Sequence, residues 1–253
     1  MTMIFVFDID GTICFNGKFI ESRLNQVIQQ LNRQHDIIFA SARPIRDLLP
    51  VVRDYSNHWL IGGNGSIISK DGEIQTMAYI PNDLFEKIVK LISDYDLKYI
   101  IDGDFDYVAN VSESHPIYRQ LNPDGLAKNV KVAHIQHPIK VILFATEEKT
   151  FKALKQWFQS YENVLSIHIH EVDHSIDITA KNINKYSTLK HMIGAQNYIA
   201  FGNDVNDTQL LNHAQQSFYE TSTSGYSEAY DVYIQNNAES VATVIEDLYL
   251  SEK

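Results

Sequence analysis

Three short apolar runs in this chain each stop at a polar cluster. Met3-Ile4-Phe5-Val6-Phe7 ends at Asp8, Ile37-Ile38-Phe39-Ala40 ends at Ser41, and Tyr198-Ile199-Ala200-Phe201 ends at Gly202-Asn203-Asp204. None alternates apolar with polar positions. Unbroken runs of this length predict strands covered on both faces, as in a parallel sheet flanked by helices. Ligands of such sheets gather beyond the carboxyl ends of the strands. That edge would collect Asp8, Asp10, Ser41, Asn203, Asp204 and Asp207.

Helical periodicity fills the intervals. Ser22 to Leu31 carries Leu24, Val27, Ile28 and Leu31 on one face, and Ala238 to Leu250 carries Val241, Val244, Ile245 and Leu248. Pro44 to Tyr55 predicts a helix with proline in its first turn. Asn184 is placed to cap a helix running to about Ile193. Asn16-Gly17, between Ile13 and Phe19, predicts a tight hairpin.

The middle of the chain has another texture. A helix opens at Pro81-Asn82-Asp83 and runs through Ile92, and a second lies near Glu148–Phe158. Strands are expected at Lys98–Ile101, Tyr107–Val111, Lys131–Ile135, Lys140–Ala145 and Leu165–His170. This predicts an α/β core formed by residues 1–80 and 181–253, interrupted by an inserted domain of mixed helices and strands at 81–180.

Composition narrows the function. Twenty-one basic against 32 acidic residues leave a net charge of −11, which disfavours non-specific nucleic-acid binding. The same charge repels anionic substrates, so a phosphate ester would need a local cation. No apolar run approaches the roughly 20 residues of a membrane-spanning helix. The apolar start, Met1 to Phe7, has no basic residue and reads as a buried strand instead of a signal peptide. Cys14 is the only cysteine, which suits a reducing, cytoplasmic setting.

The chemistry sits at the polar clusters. In Asp8-Ile9-Asp10-Gly11-Thr12 two carboxylates two residues apart can face one site, and Gly11 permits the turn after them. Such a pair is stable near a cation, and magnesium takes a few carboxylates together with waters and phosphate oxygens. Lys185 would stand at a helix N-terminus, where the macrodipole disfavours positive charge, so an anion is expected beside it. Gly202-Asn203-Asp204-Val205-Asn206-Asp207 supplies further hard oxygen ligands, and Ser41 offers a hydroxyl and a backbone N–H to a phosphate.

In this order the segments resemble the haloacid dehalogenase superfamily, and within it the Cof-type sugar-phosphatase branch. The resemblance implies a Rossmann-like parallel-sheet core with helices on both faces and an inserted α+β cap of the C2 type that sets specificity. It implies a magnesium-dependent phosphatase acting on a small phosphorylated metabolite through an aspartyl-phosphate. Asp8 would be the nucleophile, Asp10 the general acid and base, and Thr12, Ser41 and Lys185 the phosphate-binding residues. Asp8 and Asp10, the latter through its backbone carbonyl, would hold Mg2+ with ligands among Asn203, Asp204 and Asp207. One position departs from the pattern: Asn203 stands where the family commonly has the first aspartate of its fourth motif. A phosphomutase on the same scaffold, or a regulatory binding protein that retains the fold, are the alternatives. Substrate identity and oligomeric state are not encoded in these motifs.

Overall fold

The computed structural model describes residues 2–115, 117–118, 121–221 and 229–251, which divide into two compact units. The first comprises Met1–Glu73 and Asn184–Lys253, the second Ile74–Ile183. With strands numbered along the whole chain, the first unit carries β1 (Ile4–Phe7), β2 (Asp36–Ala40), β3 (Trp59–Gly62), β4 (Ile67–Lys70), β11 (Tyr198–Gly202), β12 (Gln216–Thr221) and β13 (Val232–Gln235). They lie in a sheet of order β13-β12-β11-β1-β2-β3-β4, and β5 (Glu73–Thr76) follows at its edge. Every pairing from β13 to β3 is parallel, whereas β3 and β4 run antiparallel.

The aromatic content of the apolar runs explains the sheet's centre. Phe7 stacks on Phe201 with ring centroids 4.8 Å apart, and Phe201 on Phe218 at 4.4 Å. This buried row joins β1, β11 and β12 on one face. Helix α1 (Ser22–Leu31) buries the four apolar residues of its stripe and packs against α7 (Ala238–Ser251). A separate group, α2 (Ile45–Leu48), α5 (Lys185–Ile193) and α6 (Thr208–Asn212), packs against β3, β4, β11 and β12.

The second unit is an antiparallel sheet of order β7-β6-β8-β10-β9. Its strands are β6 (Lys98–Asp102), β7 (Tyr107–Asn110), β8 (Lys140–Phe144), β9 (Leu165–His170) and β10 (Ser175–Ala180). Helices α3 (Asn82–Asp94) and α4 (Glu148–Gln159) share a core with it, built from Ile88, Phe151 and Leu154 against Ile101, Val141, Leu143, Ile176 and Ile178. No helix among the described residues is long and apolar enough to cross a membrane.

Three local expectations are corrected. The helix expected over Pro44–Tyr55 stops after Leu48 and resumes only as a 3-10 turn at Arg53–Tyr55, because Pro50 has no N–H for a continuing ladder. Asn16-Gly17 forms a turn without flanking strands: the Asn16 side-chain oxygen accepts the N–H groups of Lys18 (2.8 Å) and Phe19 (3.0 Å), closing the chain locally. Lys131–Ile135 is a 3-10 turn at Val132–His134 and not a strand. In the other direction, β10 was not foreseen, although Ile176 and Ile178 alternate with Asp177 as a half-buried strand requires.

Candidate active site

Strand β1 ends by delivering Asp8 into the interior, where it is only 5% exposed. A carboxylate buried this deeply needs donors, and it has two. Lys185 Nζ donates to Asp8 Oδ1 at 2.5 Å, and the Thr12 hydroxyl donates to Oδ2 at 2.9 Å. Lys185, fully buried, also donates to Asp207 Oδ1 at 2.7 Å. Asp207 Oδ2 in turn accepts the backbone N–H groups of Asn203 (3.1 Å) and Asp204 (3.2 Å), which pins the loop after β11. Side chains more than 170 positions apart in sequence thus share one buried ionic cluster.

Local sequence explains how Lys185 is held there. Asn184 caps α5 with a reciprocal pair: its side chain accepts from Ser187 N–H at 2.8 Å, and the Ser187 hydroxyl accepts from Asn184 N–H at 3.0 Å. The cap fixes the helix start, and the two carboxylates offset the unfavourable macrodipole at Lys185. Gly202 is required for the same assembly, since a Cβ there would lie 2.7 Å from the Asp207 Cβ.

The electrostatics are those of a site short of positive charge. Burial pushes the Asp8 carboxyl up to about 7, the Asp207 charge adds to this, and Lys185 opposes it. Burial also works against the Lys185 ammonium, but Asp8 and Asp207 outweigh it and hold the lysine above its ordinary range. Two carboxylates share one ammonium, so the cluster has no surplus positive charge for an incoming phosphate.

The other expected residues fall into two groups. Asp10 is half exposed and gripped by Arg43, whose Nε donates to Oδ2 at 2.7 Å and whose second guanidinium nitrogen reaches Oδ1. Arg43 also donates to Gly17 O at 3.0 Å, so it ties Asp10 to the neighbouring turn. Ser41 is fully buried. Its N–H is committed to Ile61 O at 2.8 Å, which removes the backbone donor expected from the sequence. The hydroxyl accepts from Arg43 N–H at 3.0 Å and keeps its own hydrogen to donate. Thr12 likewise spends its hydroxyl on Asp8 and not on an open phosphate site.

Among the expected metal ligands, Asp204 turns away. It is exposed, and its Oδ1 accepts Val205 N–H at 2.6 Å to cap the 3-10 turn Val205–Asp207. Asp207 has both oxygens engaged in holding Lys185 and the loop. Asn203 leans on Gly11: a Cβ at Gly11, whose φ is +80°, would meet Asn203 Nδ2 at 2.1 Å. This brings the Asn203 amide beside the Asp10-Gly11 backbone. Among the described residues no cluster of three or more His, Cys, Asp or Glu side chains is assembled to hold a metal. The donors present, the Asp8 carboxylate, the Asp10 backbone carbonyl and the Asn203 amide oxygen, are few, hard and mostly neutral. That set suits magnesium, which keeps several waters and takes phosphate oxygens.

The sequence pattern of the haloacid dehalogenase-like hydrolases matches residues 5–245, nearly the whole chain. The chain is a haloacid dehalogenase-like hydrolase. No curated protein matches it significantly in sequence. Solved structures share the hydrolase's fold over almost its full length. A Thermotoga maritima protein aligns with a TM-score of 0.82 at 21% identity, covering 98% of this chain and 97% of that one. A haloacid dehalogenase-like hydrolase from Bacteroides thetaiotaomicron aligns with 0.80 at 18%, covering 98% and 100%. A sugar phosphatase of subclass IIB of the superfamily aligns with 0.72 at 19%, covering 98% and 100%. At these identities the likeness speaks to the fold.

Two residues at this edge, Arg43 and Glu220, escaped the sequence reading. Arg43 could have been found as a basic residue two positions beyond Ser41, at the edge where acids collect. Asn64 adopts a left-handed φ of 56°, donates its N–H to Ser41 O at 3.0 Å and accepts from Asn206 Nδ2 at 3.2 Å, linking the loops after β2, β3 and β11. Its signal in the sequence is the stretch Asn64-Gly65-Ser66, which resembles the Cof-type branch's loop after the third strand. Glu220, on β12, had none.

Proposed function

We propose that this hydrolase is a magnesium-dependent phosphatase that cleaves a small phosphorylated metabolite by nucleophilic attack from Asp8. The observation that carries the reading is Asp8 itself. It is a buried carboxylate at the carboxyl edge of the central strand, with each oxygen held by a separate donor. Those two contacts fix the carboxylate in one orientation, as nucleophilic attack on phosphorus requires.

Asp8 would form a bond to phosphorus as the ester oxygen leaves, giving an aspartyl-phosphate that water then hydrolyses. Asp10 would protonate the leaving oxygen and afterwards take a proton from the attacking water. Arg43 sets the direction of the Asp10 carboxylate through its two-point grip. Lys185 offsets charge on Asp8 and the bound phosphoryl group, and the Ser41 hydroxyl donates to a phosphoryl oxygen. Asp8, the Asp10 carbonyl and Asn203 would hold magnesium. When bound, the ion neutralises charge on the transferring phosphoryl group and contributes several kcal/mol to its stabilisation. The second unit, 74–183, would choose the leaving group.

The test is phosphate release from a panel of sugar phosphates, nucleotides and flavin mononucleotide, with magnesium, with a chelator, and with Asp8→Asn. Magnesium-dependent release that vanishes in the variant is expected. Release that survives Asp8→Asn at near-normal rate would remove Asp8 from the mechanism.

A further inference from the structure

Glu220 is a buried acid without a structural explanation. It is 1% exposed, and neither carboxyl oxygen has a side-chain partner or a well-formed hydrogen bond; only the backbone N–H groups of Glu220 and Gly202 lie near enough to favour its ionised form. Buried polar atoms are nearly always paired, so a carboxyl group this poorly paired at this depth calls for a functional account. A glutamine, or an apolar side chain of the same length, would be tolerated in a closed sheet at lower cost.

Its place in the fold supplies the account. In the parallel register of β11 and β12, Gly202 lies opposite Tyr219, so the next residues, Asn203 and Glu220, stand abreast at the carboxyl edge. Two positions earlier Phe201 and Phe218 stack with an interplanar angle of only 7°, and Glu220 follows Phe218 on the same side of its strand. The groups that strand register and the Gly11 contacts bring together beside Glu220 are neutral. Asn203 leans on Gly11, Asn236 Nδ2 donates to Gly11 O at 2.9 Å, and Ile234 is the β13 partner of Glu220. The buried ammonium of Lys185 is taken by Asp8 and Asp207. Burial pushes the Glu220 carboxyl well above its ordinary range, and the charges of Asp8 and Asp207 add to this. The same field that disfavours another anion there reverses in sign once a divalent cation is bound.

We propose that Glu220 supplies the negative charge at the cation end of the site that the amide of Asn203 lacks. The carboxylate that the family pattern places on the loop after β11 is carried here on the adjacent strand β12. Its absence from Asn203 is thereby made good from the side. Glu220 acts as a positioning charge for the cation and has no part in bond-making. The inference rests on the magnesium-dependent reading above.

Calorimetric titration of Mg2+ into the intact protein, without substrate, tests it in the wild type, in Glu220→Gln, in Glu220→Met and in the double variant Glu220→Gln with Asn203→Asp. Thermal melts establish that each variant is folded. Both single variants at position 220 are expected to bind Mg2+ at least tenfold more weakly, with melting temperatures at or above that of the metal-free wild type. The double variant is expected to regain affinity to within about threefold of wild type, because the charge is restored at the neighbouring position. Wild-type affinity in Glu220→Gln or Glu220→Met would overturn the proposal and leave Glu220 a structural acid. So would weakened binding that Asn203→Asp fails to restore. If the wild type binds Mg2+ and releases phosphate while the Glu220 variants bind equally well, only this inference fails. If the wild type neither binds Mg2+ nor releases phosphate, the phosphatase reading fails with it.

Discussion

Asp8→Asn in the metal-free protein should raise stability while removing function. The Asp8 carboxyl is pushed up to about 7, chiefly by burial, from an ordinary value of 3.8. Such a group keeps its proton in the fold at pH values where the unfolded chain has already lost it. The unfolded chain therefore binds fewer protons, and stability falls as pH rises from near 3.8 to near 7, then levels off. The full excursion corresponds to an upper bound on the order of 4 kcal/mol at pH 8. Asparagine mimics the protonated acid and can accept from Lys185 through its oxygen; the Lys185 attraction is already contained in the raised value, so the gain lies within that bound. For a chain of this size roughly 2 kcal/mol corresponds to about 4–8 °C in melting temperature. The assay is a pair of thermal melts with a chelator present, at pH 8 and at pH 4.5. The variant should melt several degrees above the wild type at pH 8, and the gap should narrow at pH 4.5. Saturating magnesium should then raise the wild type and not the variant, because only a native state that binds the ion gains from it. An equal gap at both pH values, or a variant less stable than the wild type at pH 8, would refute the picture of Asp8 as a buried anion awaiting a cation.

Lys185→Met strands Asp8 and Asp207 together without their shared ammonium, and urea denaturation at pH 8 should show a loss of about 3–5 kcal/mol. Arg43→Lys keeps a positive charge but loses the two-point grip on Asp10, so kcat should fall on the order of 10²-fold with little change in KM, read from steady-state phosphate release. Gly11→Ala combines a φ of +80° with a Cβ driven into Asn203. It should lower stability by roughly 1–3 kcal/mol in thermal melts and weaken Mg2+ binding by calorimetry.

Much of this protein was legible along the chain, because the interactions responsible are local or periodic. Leu24, Val27, Ile28 and Leu31 mark α1 by spacing alone, and Asn184 with Ser187 caps α5 by a reciprocal bond spanning three residues. The apolar runs ending at Asp8, Ser41 and Gly202 predict β1, β2 and β11 because a strand covered on both faces has no polar positions to hide. Where local signals competed, the reading failed. Pro50 broke a promising helical stripe, and the Asn16 side chain closed its own turn before a hairpin could form.

The sequence by itself marked Asp8, Asp10, Ser41, Lys185, Asn203, Asp204 and Asp207 for the carboxyl edge, since each lies just after an apolar run or a helix cap. Tertiary structure alone decided what each does there. Asp204 and Asp207 are three residues apart, yet one caps its own turn in solvent and the other is buried holding Lys185. Asp8 and Asp10 are two apart, yet one is gripped by a buried lysine and the other by Arg43 on a different loop. Glu220 carries no local mark, and its burial abreast of Asn203 follows from strand register alone. The physical reason is the same in each case. Local propensity and periodicity choose the element, whereas the charge a buried group tolerates depends on neighbours brought to it from distant parts of the chain.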